Sequence, residues 1–265
     1  MNPIERHRQL LKSEFARHSP EGPSDQQQGV GYPLLQKAVP HDAQLIDLPA
    51  IERSVITKVH IFDCLSGRCS RRKFSDHPLS LAELSFLLWA TQGLKEVLGE
   101  GYATLRTVPS AGARHPFETY LIAHQVDELD PGVYRYLPLS HQLLHVSSPG
   151  DLAERTIDAC VGQKFAARCA AVFVWSCIPY RAEWRYQSRA HKASLLDAGH
   201  IAQNLYLACE SIACGTCAIA AYDQKAFDEL LGLDGQNEMV VYLAPVGKLL
   251  RTPSPPQPEN TTEKK

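Results

Sequence analysis

The 265-residue chain predicts an α+β fold, and three observations carry that reading. Residues 170–177 and 239–246 are near-continuous apolar runs of strand length, the pattern of strands covered on both faces. Residues 189–212 place Leu195, Ala198, Ile201, Ala202, Leu205, Ala208 and Cys209 at three- and four-residue steps, which predicts a long helix with one broad apolar face. Helices and strands are interspersed without a repeating strand–helix–strand unit, so the central sheet is expected to be mixed or antiparallel, flanked by helices, rather than doubly wound.

Taken in order, the first fifty residues are polar and loop-like, with Gly and Pro spread through residues 20–32, and residues 1–43 read as an N-terminal arm. Residues 44–48 and Pro49 lead into the body. Ser80-Leu-Ala-Glu83 has the form of a capping box, and Leu81, Leu84, Leu87, Leu88 and Thr91 follow at helical spacing before Gly93. Residues 118–124 predict a strand, and residues 132–137 and 142–146 a hairpin closed around 138–141. Asp223 is placed to cap a short helix through Ala226, Phe227 and Leu230 that stops at Gly232. Residues 252–265, rich in proline and then charge, cannot bury apolar area and are expected to be disordered.

A net charge of -2 supplies no general field for nucleic acid, so anions must be bound by local clusters and the expected partners are small. The longest apolar run falls far short of a bilayer span and the first residues are charged rather than signal-like; a soluble, cytoplasmic protein is expected. Eight scattered cysteines read as free thiols. Cys214-Gly-Thr-Cys217 has redox spacing, but its glycine just past a long helix reads better as a chain reversal, and no second pair suggests zinc.

Two stretches carry candidate chemistry. Arg68-Cys-Ser-Arg-Arg-Lys-Phe74 puts four cations and a hydroxyl beside Gly67, a donor set suited to phosphate, although a solvated basic loop would look the same. Pro109-Ser-Ala-Gly-Ala-Arg-His-Pro116 sets small residues between two prolines, either a plain turn or a loop left open to a flat ligand. Walker, Gly-x-Gly-x-x-Gly and Gly-x-Ser-x-Gly patterns are absent.

Arg68-x-Ser70-x-Arg72-x-Phe74, Pro78-Leu-Ser80, Pro109-Ser-Ala-Gly-Ala113, Pro131-Gly-Val-Tyr-Arg-Tyr136, Leu196-Asp-Ala-Gly-His-Ile-Ala-Gln-Asn204 and Pro245-Val-Gly247 occur in the order and spacing of the nitroreductase-like flavoproteins. The chain resembles most their SagB-type branch, which includes thiazole- and oxazole-forming dehydrogenases, over residues 44–251. The resemblance implies an α+β homodimer with FMN at the subunit interface. It implies that Arg68, Ser70 and Arg72 hold the phosphate, with Lys248 and Arg251 as further cations, and that Pro109, Ser110, Ala111 and Gly112 touch the ring from the partner subunit. Ala220 and Ala221 would lie beside the reactive edge of the ring and Gln163 on its pyrimidine side.

This sequence departs from the pattern twice. Ala113 stands where related reductases often carry Asn, and Arg185-Tyr186 stands where the azole-forming relatives have a Lys-Tyr pair that takes the proton. Arg185 stays protonated, leaving Tyr186 as the proton-handling candidate; packing at the flavin entrance is the plainer role for Trp184 and Tyr186. His200, Gln203 and Asn204 share one side of the long helix and read first as packing groups; His115 is open between packing and substrate contact. Three functions follow: an FMN-dependent dehydrogenase or oxidase acting on a small or peptide-derived substrate, an NAD(P)H-dependent reductase of nitro compounds, quinones or enones, or a flavin-binding subunit without turnover.

Overall fold

The computed structural model describes residues 2–13 and 21–250. In chain order the elements are α1 (Pro3–Arg8), β1 (Leu45–Asp47), α2 (Ile61–Gly67), α3 (Leu81–Gln92), β2 (Leu94–Leu98), β3 (Ala103–Arg106), β4 (Phe117–Ala123), β5 (Gly132–Leu137) and β6 (Gln142–Ser147). There follow α4 (Leu152–Ala159), β7 (Ala171–Cys177), α5 (Tyr180–Tyr186), α6 (Ala190–Ser211), β8 (Cys214–Thr216), α7 (Gln224–Leu231) and β9 (Met239–Lys248). Seven strands form one sheet in the order β1-β6-β5-β4-β7-β9-β8, with every ladder antiparallel; β2 and β3 make a separate hairpin.

Both faces of the sheet are covered, which is why its central strands read as unbroken apolar runs. On β4 and β7, Phe117, Leu121, Phe173 and Trp175 face a core shared with Leu84, Leu87 and Leu88 of α3 and Ile201 and Leu205 of α6. The alternate residues Tyr120, Ile122, Val172 and Val174 face a second core with Leu152 of α4 and Phe227 and Leu230 of α7. The period of two thus sends one strand into two cores. Ser80 and Glu83 form the expected capping box, and Asp223 caps α7, which ends at Gly232 with φ +69°.

Three expectations change. The supposedly loop-like start contains α1, capped by Asn2, whose side chain accepts the Glu5 N–H at 2.9 Å. The chain reversal after α6 falls on Ala213 with φ +55°, not on Gly215, which lies inside β8. Residues 21–38 do not merely lead in but pack on the body: Trp184 Nε1 donates to the Val30 carbonyl at 2.9 Å, the Lys37 N–H to Glu118 at 2.7 Å, and Arg135 to the Ala38 carbonyl at 2.8 Å. Residues 252–265, with the disorder expected of them, lie outside the described residues, as does Arg251. No helix among the described residues is long and apolar enough to cross a membrane.

Candidate functional site

The basic stretch at residues 68–74 is held against the sheet's edge by backbone pairing. Ser70 forms a parallel bridge with Thr216 of β8, the Arg71 N–H donates to the Thr216 carbonyl at 2.9 Å, and the Ser75 N–H to the Lys248 carbonyl at 2.9 Å. The approach is close enough to require glycine on the sheet side: a Cβ on Gly215 would lie 2.8 Å from Arg71 Cδ, and one on Gly247 2.8 Å from Phe74 Cβ.

This docking divides the cations into two groups. Arg71 donates to Glu210 at 3.1 Å and to the Gly67 carbonyl at 3.2 Å, and Lys58 completes an ion cluster on the same carboxylate. Burial pushes the Glu210 carboxyl up, but Lys58 and Arg71 outweigh it and hold the group below the ordinary carboxylate range. Lys248 is paired with Glu83. Arg68, by contrast, lies over the Tyr206 ring, 5.3 Å from its centroid, and Arg72 is exposed; among the described residues neither pairs with a carboxylate. The Ser70 hydroxyl lies 3.0 Å from that of Tyr206.

The loop at residues 109–115 is anchored on the other half of α6. Ser110 Oγ donates to Asp197 at 2.6 Å, the Ala111 N–H reaches both carboxylate oxygens at 3.2 Å, and the His115 N–H donates to Ser110 Oγ at 2.9 Å. Burial raises the Asp197 carboxyl against the lowering effect of Ser110 and Ala111. Gly112 has φ +58°, and a Cβ there would collide with the Tyr186 hydroxyl, so glycine is demanded by both conformation and space. Ala113 takes φ +54°, the left-handed region that Asn tolerates better than Ala.

His115 resolves as a packing residue. It is 4% exposed, its Nε2 pairs with the Thr104 carbonyl at 3.1 Å, and burial followed by Arg106 pushes its pKa down to about 3, so the ring is neutral. Arg185 and Tyr186 close α5 beside Gly112. The Arg185 guanidinium sits 5.4 Å from the Tyr186 ring centroid and donates to the Tyr102 hydroxyl at 3.3 Å, and no hydrogen bond among the described residues joins it to the Tyr186 hydroxyl. Trp184 is buried, as the packing role requires.

Gln163 Nε2 donates to the Ala221 carbonyl at 2.9 Å, bringing two of the expected residues together, while Ala220 and Ala221 are exposed. Asn204 ties α6 to the Ala90 and Thr107 carbonyls, a packing role; His200 and Gln203 are exposed. Asp197, Tyr206 and Glu210 were not singled out from sequence. For the two acids a signal existed: a carboxylate on the buried face of an apolar helix needs a partner. For Tyr206 there was none. From Asp197 to Tyr206 is roughly 13 Å along the axis at about 1.5 Å per residue, so the cationic segment and the glycine loop of one chain meet different halves of α6.

The chain is similar in sequence and fold to known proteins. A nitroreductase-type protein of Methanocaldococcus jannaschii is 31% identical over 207 residues, covering 78% of this chain and 98% of that one. The trifolitoxin-processing protein TfxB of Rhizobium leguminosarum bv. trifolii is 26% identical over 133 residues, 49% of this chain and 36% of its own. Among solved structures, a nitroreductase-type protein of Ralstonia eutropha JMP134 superposes with a TM-score of 0.65 at 25% identity over 81% of this chain and 94% of that one. Two more distant structures share the fold. The E. coli microcin synthetase complex McbBCD with truncated pro-MccB17 bound has a TM-score of 0.59 at 20% identity, over 77% of this chain and 79% of that one. A protein of Exiguobacterium sibiricum in complex with FMN has 0.53 at 14%, over 78% and 98%. The sequence pattern of the Nitroreductase family matches residues 65–248, from the end of α2 to the last residue of β9, and so takes in both halves of the site: the chain belongs to the Nitroreductase family.

Proposed function

We propose that the protein is an FMN-dependent oxidoreductase of the SagB-type branch, working as a homodimer and moving hydride between the flavin and a small or peptide-derived substrate. The observation that carries this reading is the division of the cations at residues 68–73. Arg71 is consumed by Glu210, whereas Arg68, Ser70 and Arg72 keep donors for an outside anion, the set a phosphate monoester calls for. The residues present therefore fit the phosphate of FMN. The FMN of the Exiguobacterium protein, and the pro-peptide bound to the E. coli complex that contains a chain of this fold, support the choice of ligands.

Bound there, FMN supplies the hydride chemistry. Arg68, Ser70 and Arg72 would hold its phosphate; Lys248, the further cation expected there, is already paired with Glu83. Pro109, Ser110, Ala111 and Gly112 present open backbone to the ring, fixed by Asp197. Ala220 and Ala221 would lie at its reactive edge and Gln163, bonded to the Ala221 carbonyl, at its pyrimidine side. In the homodimer that the family resemblance implies, the loop would reach the ring from a second copy. Exposed apolar side chains are available on these helices for such a contact: Leu195 and Leu196 of α6 and Phe62 of α2 are 56%, 58% and 74% exposed.

Proton handling falls to Tyr186, whose hydroxyl lies against Gly112, because a guanidinium stays protonated and Arg185 cannot act as a base. Arg185 instead holds an anionic group of the substrate or supports a tyrosinate. This substitution makes the protein a poor azoline dehydrogenase and favours a second reading, NAD(P)H-dependent reduction of nitro compounds, quinones or enones. Anaerobic titration of the yellow protein separates the readings. Bleaching by NADPH alone supports the reductase, reduction only by a specific peptide or metabolite supports the dehydrogenase, and reduction by neither supports a flavin-binding subunit. A colourless protein that cannot be reconstituted with FMN overturns all three. Light scattering tests the dimer: a monomer that retains FMN refutes it.

A further inference from the structure

Tyr206 is the point at which α6 touches both the cationic segment and the backbone that follows β8. Its hydroxyl accepts the Ala218 N–H at 2.9 Å and lies 3.0 Å from Ser70 Oγ, while Arg68 covers its ring. The direction of the Tyr206–Ser70 hydrogen bond follows from the chemistry of the two groups. The Ala218 amide can only donate, so it occupies acceptor capacity on the phenolic oxygen. A phenol, with a pKa near 10, is a better donor than an aliphatic hydroxyl, and its single proton goes to Ser70 Oγ. Ser70 therefore accepts from Tyr206, and its own proton is left for another acceptor. Among the described residues no second hydrogen bond uses it. A hydroxyl that accepts one hydrogen bond is polarised into a stronger donor for the next.

We infer that Tyr206 is a positioning residue: with its oxygen occupied by the Ala218 N–H, it sets Ser70 as a hydrogen-bond donor toward the phosphate of the flavin. The inference rests on the reading that this cluster binds FMN. It also accounts for the cation count. Arg68, which makes no ion pair within the described chain, is oriented by the same aromatic ring, so one side chain prepares two of the three phosphate donors.

The test is equilibrium binding of FMN and of riboflavin, which lacks the phosphate, to the apoprotein by flavin-fluorescence quenching. Wild type, Tyr206→Phe, Ser70→Ala and the double variant are compared. Each single variant is expected to weaken FMN by about 5–20-fold, the scale of one hydrogen bond to a charged group, and to leave riboflavin unchanged within about twofold. Because Tyr206 acts through Ser70, the double variant should bind FMN no more weakly than Ser70→Ala by more than about twofold. Equal weakening of FMN and riboflavin in Tyr206→Phe, full retention of FMN affinity, or a double-variant loss equal to the product of the single losses would overturn the inference and leave the FMN reading standing. Failure of both flavins to bind wild type would overturn that reading as well.

Discussion

At residues 68–73 the arginines that are not tied to Glu210, half-buried Arg68 and exposed Arg72, make no ion pair among the described residues; around the glycine loop the arginines are buried and bonded to the protein itself. Arg106 is 6% exposed and donates to Thr104, to Gln92 and to the Leu35 carbonyl. Arg114 stacks on Trp184 at 4.9 Å and donates to the carbonyls of Arg181 and Tyr102. Arg181 pairs with Glu118 at 2.5 Å, with both side chains no more than 3% exposed. The same residue type is left without a carboxylate in one place and ties down a chain segment in the other, and what differs is whether the chain provides acceptors within reach. Around the loop the arm provides them: its carbonyls at Leu35, Lys37 and Ala38 answer Arg106 and Arg135.

The sharpest way to break this contrast is to strip an acceptor from the buried group. Glu118→Ala leaves Arg181 buried without its carboxylate and the Lys37 N–H without its acceptor, and should cost about 3–5 kcal/mol in urea unfolding of the apoprotein. A loss below about 1 kcal/mol would show that the buried arginines do not anchor this half.

Acid should act on the same half. The folded pKa of His115, about 3, lies below the usual 6.5, so between those values the unfolded chain takes up a proton that the fold excludes. Its contribution is complete above about pH 6.5 and is lost as pH falls toward 3. His124 and His141 are lowered by burial in the same sense and add to the slope. Urea midpoints measured from pH 7 to pH 4 should fall, and less steeply in His115→Phe; an unchanged slope in that variant would remove His115 from the account.

On the exposed side the effects should appear in binding instead of folding. Arg72→Ala should weaken FMN by about 1.5–3 kcal/mol and change stability by no more than about 0.5 kcal/mol. Arg71→Ala, which leaves the buried Glu210 with Lys58 as its one remaining cation among the described residues, should show the reverse weighting in the same two assays. If both arginines move flavin affinity equally, the division between them fails. The smallest expected effect lies in the loop: Ala113→Gly relieves a left-handed alanine and should gain up to about 1 kcal/mol in thermal unfolding, where a loss would mean that the Ala113 methyl packs more usefully than its strain costs.

Local chemistry explains what was legible in advance. The capping box at Ser80, the Asp223 cap, the Gly232 stop and the β5–β6 hairpin are decided within a few residues, and each was placed from its own neighbours. The α1 helix and the β2–β3 hairpin were not recognised, being short and only weakly patterned. The glycine in Cys214-Gly-Thr-Cys217 reads as a turn because glycine usually serves one, whereas Gly215 is required by the approach of Arg71, a residue far away in sequence.

By itself the sequence determined the α+β class, the two strands buried on both faces, the long central helix and the segments from which a site could be built, because apolar period and turn chemistry are properties of contiguous residues. Only the tertiary structure decided which of Arg68, Arg71 and Arg72 are available to a ligand, that Asp197 holds the glycine loop, that His115 is a packing group and that Tyr206 joins Ser70 to Ala218. Those outcomes depend on which acceptor the fold carries to within about 3 Å of which donor, and on how much water it leaves there, and neither is written in the spacing of residues along the chain.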